Sequence, residues 1–161
     1  DHWWPGTHAK LAALLPPRTH ALKKTAVIIQ GVGFFGARGG DFAPLTRYGD
    51  TRTQAEVDQW LDREEAELKQ SLAQLDLLAA QHPTPLAARI CLFHYPPIPP
   101  ARQASRFTPL IVASGASHCI YGHLHGREIG AAKVEGTFQG VTYRCMSCDQ
   151  IDFTPALVLT V

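Results

Sequence analysis

The sequence predicts an α/β domain, and three observations carry that reading. Two short apolar runs of strand length, Arg89–Phe93 and His118–Tyr121, each lead into a polar loop. A long stretch from Thr53 to Gln81 repeats its apolar residues at helical spacing. The chain then closes on hairpin-like sequence from Gly136 to Arg144. Strand runs alternating with helical patterns belong to layered α/β architecture. At 161 residues the chain is long enough for one domain with a sizeable core.

Thr7 reads as an N-cap for a short helix carrying Leu11, Leu14 and Leu15, stopped by Pro16-Pro17. Thr19 to Leu22 is expected to be a short strand. Thr25–Gln30 and Val32–Gly36 read as consecutive strands of a hairpin turning near Gly31. The Gly-x-Gly of Gly31 to Gly33 is a tight turn and not a dinucleotide fingerprint, because no helix pattern follows it. Phe42 to Arg52 is a polar loop, a candidate lid or rim. Thr53-x-x-Glu56 is a capping box. Val57, Trp60, Leu61, Leu68, Leu72, Leu75 and Leu78 line the face that should cover a sheet. The charge run Asp62 to Lys69 reads as the solvated face. Thr108-Pro109 opens a short helix, with threonine as cap and proline at its first position. Ala156 to Val161 is expected to be a last strand.

Net charge is +1, so nothing points to a nucleic-acid or membrane surface. No apolar run approaches the roughly 20 residues of a membrane span. Of four cysteines, Cys91 and Cys119 fall in apparent core strands and read as small hydrophobes. That usage leads to the expectation of a reducing, cytoplasmic setting. Cys145-x-x-Cys148 has three readings: half of a zinc site, a redox pair, or two incidental cysteines.

Chemistry concentrates on histidine. His94 follows the first apolar run, and Pro96-Pro97 forbid continuation into regular structure. His123 and His125 follow the second, flanked by Gly122 and Gly126, which supply freedom to turn both imidazoles inward. Ligands of open α/β sheets collect at the C-terminal ends of strands. Neutral imidazole is the commonest side-chain metal ligand. One shared crevice holding His94, His123 and His125 is therefore expected to bind metal. Arg38, in Ala37-Arg38-Gly39-Gly40-Asp41, also follows a strand end. It reads either as a clamp for a phosphate dianion or as a loop residue paired with Asp41. Arg102 and Arg106, beside a Pro-rich loop, read as surface positions, with assistance to phosphate binding as the alternative.

Leu92-Phe93-His94-Tyr95-Pro96-Pro97 followed by Tyr121-Gly122-His123-Leu124-His125-Gly126 resembles the last two metal motifs of calcineurin-like metallophosphoesterases. Asp1-His2-Trp3-Trp4-Pro5 resembles the continuation of that family's Gly-Asn-His-Asp motif. Gly36-Ala37-Arg38-Gly39 and Tyr143-Arg144-Cys145 are similar to segments of a bacterial branch of predicted phosphohydrolases.

The resemblance implies a four-layer α/β/β/α sandwich with mixed sheets, and hydrolysis of a phosphate ester or phosphodiester assisted by two divalent ions (Mn, Fe or Zn). It implies His94 and His123 on the second metal and His125 on the first. Asp1 would orient a general-acid histidine. Arg38, Trp3 and Tyr95 would meet the substrate, although aromatics such as Trp3 and Trp4 are more often core or rim packing.

The family's Asp-x-His, Gly-Asp-x-x-Asp and Asn-His ligands would lie before Asp1. The expectation is thus a single incomplete domain, residues 1–161, the C-terminal part of a longer phosphohydrolase with half a metal site and no esterase activity alone. The alternative is a degenerate, non-catalytic scaffold that binds partners. Oligomeric state is not legible.

Overall fold

The computed structural model describes residues 7–40, 53–126 and 132–161. Its elements in chain order are α1 (His8–Leu14), β1 (Val27–Ile29), β2 (Val32–Ala37), α2 (Gln54–Gln81), β3 (Ala88–Phe93), α3 (Thr108–Ala113), β4 (His118–Tyr121), β5 (Gly136–Phe138) and β6 (Val141–Cys145). A 3-10 turn, Cys148–Ile151, follows β6. Among the described residues no helix is long and apolar enough to cross a membrane.

One mixed sheet of six strands has the order β1-β2-β3-β4-β6-β5. The inner four strands, β2, β3, β4 and β6, are mutually parallel, and each edge is closed by an antiparallel hairpin partner. The first hairpin turns through Gln30 and Gly31, both at positive φ (50° and 78°), the backbone a two-residue loop between twisted strands requires. The second turns in the same way at Gln139-Gly140.

Register explains the core. Phe35, Cys91, Cys119 and Tyr143 align as one row across the four parallel strands, and all are fully buried. The two central cysteines of that row are free thiols. Helix α2 covers this face: the leucine side chains of Leu75 and Leu86 lie where Gly33 would carry a Cβ. Helix α3 joins it through its N-cap, Phe107, packed edge-on against Phe93 at 5.3 Å between centroids. On the opposite face Phe34, Leu92 and Ile120 are only half-buried.

Two of the three threonine caps read from sequence form. Thr7 accepts from the Lys10 amide, and Thr53 and Glu56 close a reciprocal capping box. Four expectations need correction. Thr19–Leu22 is irregular, and Thr25 instead bonds back to the Ala21 carbonyl. Ala156–Val161 has no regular structure and pairs with none of the described strands. The cap of α3 is Phe107, one residue earlier than expected; Thr108 lies inside the helix, where its hydroxyl accepts from the Ser105 amide. Glu64, within the supposed solvated run, is buried. It lies on the stripe Trp60, Glu64, Leu68, Ser71, Leu75 that faces the sheet, spaced four, four, three and four residues apart.

Candidate metal and anion site

Four parallel strands bring four C-terminal ends to one edge of the sheet. Arg38 leaves β2, His94 leaves β3, Gly122-His123 leaves β4, and the chain to Cys148-Asp149 leaves β6. Backbone bonds lace these exits together. The His94 and Tyr95 amides both donate to the Arg38 carbonyl, at 3.2 and 2.9 Å. The Gly122 amide donates to the His94 carbonyl at 3.1 Å, and the Met146 amide to the Tyr121 carbonyl at 2.7 Å.

His94 and His123 meet. His94 Nε2 lies 3.2 Å from His123 Nδ1, and both rings are half-buried. His123 has φ of 68°, and the Leu124 amide donates across it to the Gly122 carbonyl at 2.8 Å. This is the rarer, left-handed form of the γ-turn, which is strained for a residue with a side chain. The sequence placed that freedom on Gly122, but Gly122 is not in the left-handed region; His123 itself adopts it. A strained histidine held against a second one is an observation that points to function.

The pair sits in a stack of rings. Tyr95 packs on His123 at 4.2 Å and on His94 at 4.8 Å between centroids. Beyond it the Arg38 guanidinium lies over the rings of Tyr95 and Trp60, at 5.5 and 5.6 Å. Tyr95 is itself buried, so its ring acts as packing between Arg38 and the histidines. Arg38, Glu64 and His94 line a cavity of about 440 Å³, together with His20 and Lys23.

Glu64 holds the Arg38 loop. Its carboxylate accepts from the Gly39 amide at 3.1 Å and from Trp60 Nε1 at 3.2 Å. Burial raises its pKa; Glu67 nearby adds to the rise, and the two donors and Arg38 oppose it.

His125 is turned elsewhere. Its Nδ1 lies 2.8 Å from Asp149 Oδ1, while Asp149 Oδ2 accepts from the Gly126 amide at 2.7 Å. The Gly126 bond first, then His125 and Gln150, hold the Asp149 carboxyl down at about 2. Among the described residues, the one group of three metal-capable side chains within mutual reach is His125, Cys148 and Asp149.

No family model, curated protein or solved structure matches the chain. Functional inference therefore rests on the site's own geometry.

Asp1, Trp3, Trp4, Asp41 and the loop of residues 42–52 lie outside the described residues. Of the remaining sequence candidates, Arg38, Tyr95, His94 and His123 are brought together, and His125 joins Asp149. Sequence reasoning missed Glu64, His20, Lys23 and Asp149. For Glu64 a signal existed: it is four residues after Trp60 and four before Leu68, on the apolar stripe. Asp149 had none, because its place depends on β6 lying parallel beside β4. Arg106 is committed to Asp62 and Glu65 on α2, as a surface residue would be.

Proposed function

We propose that this chain carries part of the metal centre of a two-metal phosphoesterase, an enzyme that hydrolyses a small phosphate ester or phosphodiester. The observation that supports it most is the His94–His123 pair, two imidazole nitrogens 3.2 Å apart at the C-terminal ends of neighbouring parallel strands. The donors suit the ions the resemblance implies, since imidazole with carboxylate accommodates Mn, Fe or Zn. His94 and His123 would hold one ion and His125 the other. When bound, the ions would supply Lewis acidity, activating water and offsetting phosphoryl charge. Two metals also need carboxylate ligands beyond these three histidines.

The chain's own groups have separable tasks. Arg38, fixed between Trp60 and Tyr95, presents a guanidinium at the cavity where phosphate oxygens would be clamped two at a time. Glu64 keeps that loop in place through Gly39. Tyr95 walls the pair off from α2. Asp1 and Trp3, if they act as the resemblance implies, would orient a general acid and line the cleft. The half-buried row Phe34, Leu92 and Ile120 fits a further layer against the sheet's second face, as the four-layer sandwich requires.

The test is hydrolysis of aryl phosphate mono- and diesters, with Mn added, by a protein extended upstream to include the Asp-x-His and Gly-Asp-x-x-Asp motifs. His94→Ala and His123→Ala should each lower kcat/KM by about 100-fold or more. Turnover that ignores both substitutions would overturn the reading. Absence of those motifs upstream would favour the non-catalytic scaffold.

A further inference from the structure

The exit of β6 builds a second constellation, separate from the histidine pair. Because β6 runs parallel to β4, the chain leaving each strand continues side by side, tied by the Met146 amide on the Tyr121 carbonyl. Ser147 is buried at the corner, and the 3-10 turn then sets Cys148 and Asp149 beside His125. One ring nitrogen of His125, Cys148 Sγ and one Asp149 oxygen all lie within 4.8 Å of one another. The loop is held from both sides. Asp149 Oδ2 takes the Gly126 amide, and Gln150 Nε2 donates to the Gly126 carbonyl at 3.1 Å. Asp149 is thus positioned by a backbone tie, and the two segments carrying His125 and Cys148 are joined through Gly126.

We propose that His125, Cys148 and Asp149 form a binding site for a single thiolate-seeking divalent ion of the zinc class, with its fourth position open. The proposal uses neither His94 nor His123; it takes His125, which the phosphoesterase reading gives to its other ion, and stands whether or not that reading holds. Ligand atoms around a tetrahedral zinc, at bonds of about 2.0–2.3 Å, stand roughly 3.3–3.8 Å apart. The trio closes onto an ion by shifts on the order of 1 Å. Thiolate plus imidazole selects zinc or cobalt over magnesium and manganese. His125 and Cys148 are exposed, so an ion can enter from solvent and keep one position for water or another ligand. Each ion bound releases the Cys148 thiol proton. Cys145, the other member of the Cys-x-x-Cys, is buried and contacts the Ser147 hydroxyl, so the pair does not act as a unit.

Cobalt(II) titration of the full chain under reducing conditions tests this. One equivalent should bind and give an intense near-ultraviolet thiolate-to-cobalt band with four-coordinate visible absorption; zinc should bleach it. Cys148→Ser should remove the band and weaken binding roughly tenfold or more, and Asp149→Asn should weaken binding while keeping the band. Both positions lie outside the core, and circular dichroism checks that each variant is folded. His94→Ala with His123→Ala should leave the band intact. Overturning results are no band in the wild-type chain, a band that survives Cys148→Ser, or cobalt bound without thiolate and lost with the His94 and His123 substitutions. A band without hydrolysis in the extended protein would sink only the phosphoesterase reading; hydrolysis without a band would sink only this one.

Discussion

Glu64 reaches from the middle of the long helix to the amide of Gly39, 3.1 Å away and 25 residues earlier in the chain. This bond joins helix α2 to the loop that carries Arg38. It also leaves a carboxylate in a place where its charged form is penalised. Removing it by Glu64→Ala orphans the Gly39 and Trp60 donors and should cost about 1–3 kcal/mol. Urea unfolding measures this.

The same residue sets a pH dependence. Its pKa is raised by burial, so the native state holds the proton more tightly than the unfolded state does. Its contribution to stability is fullest below its ordinary pKa and declines as pH rises through the raised one. Urea midpoints taken from about pH 4 to pH 8 should fall with rising pH in the wild type. Glu64→Gln should flatten that part of the slope. An unchanged slope would mean the carboxyl is better solvated than its surroundings indicate.

Ser71 and Arg106 should differ sharply although both are held by polar contacts. Ser71 is fully buried; its hydroxyl accepts from the Gly36 amide at 3.0 Å and donates to the Thr25 carbonyl at 2.6 Å. Ser71→Ala leaves both backbone groups unpaired inside the sheet–helix layer, at a cost of about 1–3 kcal/mol. Arg106 pairs with Asp62 and Glu65 at the surface, at 2.8 and 3.4 Å. Arg106→Ala should cost under about 1 kcal/mol, less in high salt.

Gly36→Ala should prevent folding. A Cβ there would stand 1.8 Å from the carbonyl oxygen of Leu92, on the paired strand β3. Backbone on a paired strand cannot yield without opening the β2–β3 ladder, so a cost above about 3 kcal/mol is expected. Gly33→Ala meets only the ends of Leu75 and Leu86 side chains, at 2.7 and 2.8 Å, and should be milder. Circular dichroism and yield of soluble protein separate the two.

In metal-free protein the Asp149 carboxylate should protect the Gly126 amide until strong acid. Its pKa is lowered to about 2, with the Gly126 bond the main cause. The interaction is present above the ordinary carboxylate range and is lost as pH falls through that value. Amide exchange at Gly126 read by NMR should show this, and Asp149→Ala should expose the amide at all pH values.

Periodicity and punctuation made the helices, both hairpins and the two histidine-bearing strands legible, because each depends on neighbours within a few residues. The capping box of Thr53 and Glu56 is such a local bond. The strand ends at His94 and His123 follow from apolar runs meeting proline and glycine. The expected strands at Thr19–Leu22 and Ala156–Val161 failed for the complementary reason. A strand needs a partner, and none of the described strands pairs with either segment.

What the chain's letters determined alone is the α/β class, the order of its elements, and which side chains stand at strand ends. What only the tertiary structure decided is who meets whom. Strand order placed β6 beside β4, so Asp149, 24 residues on, took His125. Packing of α2 on the sheet drew Glu64 out of solvent to Gly39. A left-handed turn at His123 swung its ring onto His94. The physical reason is that propensity and periodicity act over one or two turns of chain, whereas these contacts span 24 to 29 residues and exist only once the sheet has set its register.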